Sequence, residues 1–294
     1  MQIQIKNYLN VLGLIFQITD IFTKMNKTII HIGYPKTGTT WFQKNFYPKI
    51  EGSCFLNRKV MCEHIIFKDV FDFNPIIIKE KLDKISNDQR VLICEELLLG
   101  GLDIGYGSGE FIVQNAKRLK ELFGNSTVVI FIRNQQSILE SSYSQYIKSG
   151  GTYSVKKYIG LKGRFNRQFQ NYHLFNPRLY NYYNIIKMYS DFFGKENVHV
   201  FFYEDFERNP VQFIDDFCIH FCLKRNEKIN INQKENARLS SFLVSFLRFL
   251  NLFTRRNTPF KNYIIDLPRF YSLLIFITYY LSKSKIMNRF PFRF

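Results

Sequence analysis

Acidic residues are in short supply. There are 24 Asp and Glu against 41 Lys and Arg, a formal charge of +17 with pI near 9.6. Such an excess suits an anionic ligand, an anionic membrane surface or nucleic acid. Lys, Asn, Ile, Phe and Tyr abound along the whole chain, so the charge reflects overall composition as much as a built patch. Cysteine is scarce too. Cys54, Cys62, Cys94, Cys218 and Cys222 form an odd set of five with no C-x-x-C. Cys218 and Cys222 stand at helical spacing with no matching histidine pair. This argues against a disulfide framework and against a zinc site, and it fits a reducing cytoplasm. Long apolar runs are missing. Residues 8–22 are broken by Asn10, Gln17 and Asp20, and the run 270–281 is twelve residues long. Neither reaches the roughly 20 residues that span a bilayer. The first also lacks the small-residue cleavage site of a secretory signal. Repeats and low-complexity tracts are absent.

What is present is a chain of 294 residues, 46% of them apolar, long enough for one large domain with a substantial core. Residues 1–24 read as an extension outside the core, with Met25 opening a domain that runs to about 255. Residues 256–294 read as a C-terminal helical extension. Lys283, Lys285 and Arg289 follow its apolar run, which leaves peripheral membrane contact open.

Within the domain, short apolar runs alternate with helical patterns. TIIHIG (28–33), RVLIC (90–94), TVVIFI (127–132) and NVHVFF (197–202) read as strands. TVVIFI is continuously apolar, as a parallel strand buried on both faces should be. Helices are predicted over 39–47, 110–123, 136–148, 178–193, 210–222 and 236–253. The mixed stretch through the 150s to 170s reads as an insertion or lid. The alternation predicts an α/β fold of three layers, P-loop-like, with a mainly parallel central sheet flanked by helices. In such folds ligands bind at the carboxyl ends of the strands, where Lys36, Glu95 and Arg133 fall.

The first strand leads into HIGYPKTGTTW (31–41). Gly33 and Gly38 have the G-x-x-x-x-G spacing of a nucleotide-binding P-loop, but the lysine is displaced. An ATP or GTP loop puts Lys directly after the second Gly, whereas Lys36 lies inside this loop and Thr39 and Thr40 follow Gly38. Backbone N–H groups of residues 36–40 at a helix start would suit a phosphate. The strand 127–132 ends not in an acid that could hold Mg²⁺ but in Arg133, whose guanidinium suits a second phosphate. Ser141 follows two helical turns later.

GYPKTGTTW resembles the 5′-phosphosulfate loop of sulfotransferases, YPKSGTTW. IRNQQSILESSYSQY (132–146) resembles their 3′-phosphate element, R-N-P-x-D-x-x-x-S-x-Y, with Arg133, Ser141 and Tyr143 in register and Gln135 and Ser137 in place of its Pro and Asp. VFFYEDFERNP (200–210) resembles their Y-E-D-L-x-x-D-P stretch. The resemblance covers roughly residues 27–250. It implies transfer of a sulfuryl group from 3′-phosphoadenosine 5′-phosphosulfate (PAPS) to an acceptor hydroxyl on a glycan, lipid or small metabolite, without a metal. It places the phosphosulfate on Lys36, Thr37, Gly38, Thr39 and Thr40 and the 3′-phosphate on Arg133 and Ser141. Trp41 is a candidate adenine-stacking ring or, equally, a core contact behind the loop. In the family the base is a His or Glu, and one recurrent location is just past a central strand, which here points to Glu95, with His64 the rival. The C-terminal R-K-G-x-x-G-x-W-K element of the steroid and phenol enzymes is missing; Lys234 and Arg238 in NINQKENARLSSF stand in its place. A nucleotide kinase or other P-loop NTPase, and a non-catalytic protein with a relic PAPS pocket, are the competing readings. No nucleic-acid partner is expected, and the oligomeric state is not readable from the sequence.

Overall fold

The structure, a computed structural model, describes residues 27–102, 109–160, 174–226 and 240–254, and nine positions between 262 and 276. The expected N-terminal extension, part of the lid, Lys234, Arg238 and most of the C-terminal extension lie outside the described residues.

Five strands form one sheet: β1 (Ile29–His31), β2 (Ser53–Leu56), β3 (Arg90–Cys94), β4 (Thr127–Ile132) and β5 (Val198–Phe202), in the order β2-β3-β1-β4-β5. Every pairing is parallel, with His31 opposite Cys94 on one side of β1 and opposite Val129 on the other. β1 is therefore central, and the turn after it opens between the carboxyl ends of two neighbours.

The period-2 alternation of the strands explains the layers. Ile30, Ile93, Val128 and Ile130 face one apolar cluster, and Ile29, Leu92, Cys94, Val129 and Phe131 face the other. The first layer is built from α3 (Pro75–Ser86), α4 (Glu110–Phe123), α5 (Gln135–Lys148), α7 (Tyr182–Phe193) and α10 (Ser241–Leu250), through residues such as Leu82, Leu119, Ile138, Tyr189 and Leu247. The second is an aromatic layer, with Trp41, Phe42 and Phe46 from the segment after β1 and Phe217 and Phe221 from α9 (Pro210–His220) and the residue after it. Two short helices complete the core region, α6 (Val155–Tyr158) and α8 (Tyr203–Arg208).

The helix expected over 39–47 starts as α1 (Thr39–Trp41), widens to a π-helical turn over Phe42–Phe46 and tightens to a 3₁₀ turn over Tyr47–Lys49. Pro48 therefore sits in the first turn of the 3₁₀ segment, where a missing N–H costs nothing, rather than stopping the helix before it. The helix expected from 178 begins at Tyr182, after a separate 3₁₀ turn over Pro177–Tyr180 whose cap is Asn176. Pattern reading assigns nothing between Pro48 and Arg90, where β2, α2 (Arg58–Met61) and α3 lie. β2 is an edge strand, mostly half-buried, and α3 carries Ile76 and Ile77 on its exposed side, so neither shows a clean apolar period. The readable signal for α3 is its start, where the Asn74 side chain accepts from the N–H of Ile76 and Ile77 and Pro75 takes the first position.

Among the described residues no helix is long and apolar enough to cross a membrane. Deleting residues 1–24 is expected to leave a folded protein, because the described core closes without them. Thermal unfolding of the truncated chain checks this, and loss of the cooperative transition would show that the segment packs into the core.

Candidate active site

The loop after β1 folds tightly on itself. Thr37 donates to the Tyr34 carbonyl through both its N–H (3.3 Å) and its hydroxyl (2.6 Å), and Thr37 is fully buried. A Cβ on Gly33 would lie 2.1 Å from Thr39 Cγ2, so only glycine lets the chain return this closely. Gly38 has φ +85°, and Lys36 itself takes φ +70°. The left-handed region costs a non-glycine residue roughly 1–2 kcal/mol. Strain of this kind, held in place by its surroundings, is a signature of functional loops. Thr39 is buried while Thr40 is half-buried, at the start of α1.

The three motif segments meet at this loop. Arg133, 7% exposed at the end of β4, donates from Nη1 to the Lys36 carbonyl at 2.7 Å across 97 residues of sequence. Its guanidinium lies over the Tyr203 ring, 4.4 Å from the centroid. The same ring edge lies 3.2 Å from where a Cβ on Gly38 would be. Glu204 accepts from the Asn134 N–H at 2.8 Å, and the Tyr182 hydroxyl donates to the Arg133 carbonyl. Tyr203 and Glu204 thus form a clamp, the first on the guanidinium and the second on the backbone next to it.

Helix α5 supplies the facing wall. Asn134 caps it by accepting from the Ser137 N–H, and Ser141 is half-buried on it. Gln145 Oε1 accepts from Lys36 Nζ at 3.4 Å. Burial lowers the Lys148 pKa first, and the positive charge of Lys36 lowers it further. Gln145 and Lys148 escaped the sequence reading. Their signal was available, since 141, 145 and 148 recur at helical spacing on one face. Tyr143, in register with the motif tyrosine, is core: its hydroxyl donates to the Tyr153 carbonyl at 2.9 Å, and burial raises its pKa.

Trp41 is 4% exposed and packs among Phe42, Phe46 and Phe206, with centroids 5.0–6.3 Å apart. Its ring belongs to the aromatic layer behind the loop. Beneath the loop lies fully buried His31. Its Nδ1 is 3.1 Å from the Tyr47 hydroxyl and 3.5 Å from Cys94 Sγ, and its ring stacks on Phe131. Burial pulls its pKa down to about 3, so the ring is neutral.

Past β3, Glu95 is fully buried yet well supplied with donors. It accepts from Arg58 Nε at 2.8 Å, from the Leu97 N–H at 3.0 Å and from Gln43 Nε2 at 3.4 Å. Burial pushes its pKa up, the Arg58 hydrogen bond pulls it down, and the Glu96 charge pushes it up again. Gln43 lies on the segment continuing α1, so it ties both acids (Glu96 at 3.3 Å) to the loop's own helix. His64 lies on the turn that continues α2, 3.9 Å from Glu63. Among the described residues no group of three His, Cys, Asp or Glu is placed to hold a metal ion.

The folded chain is similar to a solved structure, a sulfotransferase from Alicyclobacillus acidocaldarius. It is 17% identical, covers 71% of this chain and 86% of its own, and superposes with TM-score 0.50. The chain has the sulfotransferase fold. The sulfotransferase domain from the curacin biosynthetic pathway, 14% identical over 71% of this chain and 78% of its own, superposes at TM-score 0.38, too low to add to this. No protein-family model and no curated protein matches the chain. At these identities the likeness establishes the sulfotransferase fold and leaves the chemistry to the residues of the site.

Proposed function

We propose that this chain is a PAPS-dependent sulfotransferase acting on a hydroxyl of a glycan, lipid or small metabolite. The observation that carries the reading is the bond from Arg133 to the Lys36 carbonyl, which sets two cationic side chains from two strand ends beside one loop. PAPS has two separated anionic groups and supplies an activated sulfuryl group. The loop N–H groups of residues 36–40 with Lys36 would hold its 5′-phosphosulfate, helped by Thr37, Thr39 and Thr40. Arg133 and Ser141 would hold the 3′-phosphate. The residues fit such a ligand. Lys36 and the half-buried Lys148 raise each other's electrostatic cost, which an anion between them would relieve. Lys36 would carry the charge left on the phosphate side, and Glu95 would take the proton of the acceptor hydroxyl, with His64 the alternative base.

The test is thermal stability. Adenosine 3′,5′-bisphosphate should raise Tm without added metal, with about 2.7 kcal/mol of stabilisation at a hundredfold excess over Kd. ATP should do much less, and equal or larger stabilisation by Mg-ATP would overturn the reading in favour of a P-loop NTPase. Arg133→Ala should weaken bisphosphate binding about ten- to a hundredfold, the worth of a charge-assisted hydrogen bond. The same change should cost adenosine 5′-phosphosulfate far less, since that ligand lacks the 3′-phosphate. Equal losses on both would place Arg133 in loop support alone. Mass spectrometry of a cell extract incubated with protein and sulfur-labelled PAPS would identify the acceptor, and a bound nucleotide without any labelled product would favour a non-catalytic pocket.

A further inference from the structure

Two histidines meet at the far end of the sheet from the candidate active site. Strand β5 sends Val198 and Val200 towards the first layer, so His199 shares the opposite face with Phe201. Helix α9 covers that face with Phe213 and Phe217, and His220 continues their stripe seven and three residues on. The two imidazoles come together where the stripe ends, at an edge strand of the sheet. His220 Nε2 lies 3.0 Å from His199 Nδ1, with the ring planes 78° apart. His220 is exposed and His199 half-buried. Phe221 backs both rings, with centroids 5.2 Å from His199 and 4.6 Å from His220.

Two neutral imidazoles at this distance share one proton, one ring donating and the other accepting. The same spacing is also the bite of a metal chelate. With imidazole nitrogens about 2.0–2.1 Å from a bound ion, a 3.0 Å separation subtends roughly 95° at the metal. That is near the right angle of tetragonal Cu²⁺ and Ni²⁺ sites, and opening by about 0.3 Å reaches the tetrahedral angle of Zn²⁺. The exposed His220 ring can turn to aim its lone pair at the ion, and the bridging proton then leaves to solvent or to its ring's other nitrogen. Imidazole suits these ions, whereas Mg²⁺ prefers oxygen. Among the described residues no third His, Cys, Asp or Glu is placed to join the pair, so water would fill the remaining positions.

We propose that His199 and His220 chelate a divalent transition-metal ion of the imidazole-binding class, Cu²⁺, Ni²⁺ or Zn²⁺. The ion would act as a brace. The two residues are 21 positions apart, and between them run Tyr203 and Glu204, which clamp Arg133 and the backbone beside it. A link closing the base of this unit would resist its opening, and the binding free energy would add to folding. His199 lies near the amino end of β5, whereas the phosphate-type loop follows the carboxyl end of β1 in a parallel sheet. The inference stands whatever chemistry the loop performs.

The test is calorimetric titration and thermal unfolding of the untagged full chain, stripped with EDTA, with Ni²⁺ and with Mg²⁺ as the control. Ni²⁺ should bind saturably and raise Tm, and Mg²⁺ should do neither. His199→Gln and His220→Gln should each weaken Ni²⁺ binding at least about tenfold, since even residues behind a ligand are worth that much. Absence of saturable Ni²⁺ binding by the parent overturns the proposal. Undiminished binding by either variant overturns it too, because the ion would then sit on other groups. A measurement on the parent alone guards against a folding defect in the variants. Zn²⁺ should move the NMR ring signals of His199 and His220 and leave those of the other three of the five histidines in place. Any other pattern overturns the assignment.

Discussion

The Glu95→Gln protein is expected to bind adenosine 3′,5′-bisphosphate as the parent does and to transfer sulfuryl at least about a hundredfold more slowly. A hydroxyl must lose its proton as it attacks sulfur, and a positioned base contributes typically 10²- to 10⁴-fold. Three features motivate the choice of Glu95. It follows the strand next to β1, where its N–H donates to the His31 carbonyl at 3.1 Å. Gln43 links it to the helix that starts in the loop. Its burial and its Arg58 partner pull its proton affinity in opposite directions, so its titration is set by its surroundings rather than by solvent. Glu95 also caps the turn over Glu96–Leu99, and glutamine keeps an oxygen for that bond, so the fold should survive.

The pH profile separates a base from a structural cap. A base at Glu95 acts as the ionised carboxylate, so on the proposed role the rate should fall with decreasing pH through a pKa above the ordinary glutamate value. Arg58→Ala removes the downward pull and should move that acid limb to higher pH. Glu95→Gln should remove the limb altogether. Transfer of label from sulfur-labelled PAPS to acceptors in a cell extract gives the rates. Near-normal turnover in Glu95→Gln, together with collapse in His64→Ala, would give the role to His64.

The second large effect is on stability in acid. His31 stays neutral in the folded protein down to about pH 3, whereas an exposed histidine protonates near 6.5. Between those values the unfolded chain binds a proton that the folded one does not, so stability falls as pH falls, by about 1.4 kcal/mol per unit. Over the whole window this amounts to roughly 4–5 kcal/mol, a large part of a typical domain's stability. The groups touching the ring do not share the window, since burial pushes both the Tyr47 hydroxyl and the Cys94 thiol upward, away from it. Glu95 acts with the opposite sign. Its raised pKa lets the folded state take the extra proton, which partly offsets the His31 loss near its own titration. Denaturant unfolding at a series of pH values should show the acid slope in the parent. In His31→Gln, which keeps an acceptor for Tyr47 but does not titrate, that slope should be reduced by about one proton. An identical slope in both proteins would move the acid sensitivity to other groups.

His31 also shows where pattern reading stops. In TIIHIG it reads as one position in a short strand, and nothing local says that its ring lies in an aromatic layer under the loop. That follows from which face of β1 meets Phe42 and Phe131, a consequence of tertiary packing. Arg58 was invisible for the same reason: it matters because α2 packs beside the end of β3, where Glu95 accepts from its Nε.

By itself the sequence determined the features that depend on neighbours along the chain. Short apolar runs marked four of the five parallel strands, the glycine spacing with Lys36 marked the loop, and the end of the run 127–132 marked Arg133 as a strand-end cation. These are local because alternation, tight turns and strand ends are set by backbone sterics within a few residues. Only the tertiary structure decided the strand order, the bond from Arg133 to the Lys36 carbonyl, the Tyr203–Glu204 clamp, the burial of Trp41 and the Arg58 partnership of Glu95. Each joins segments tens of residues apart, and which of them meet is settled by how two faces of one sheet are covered.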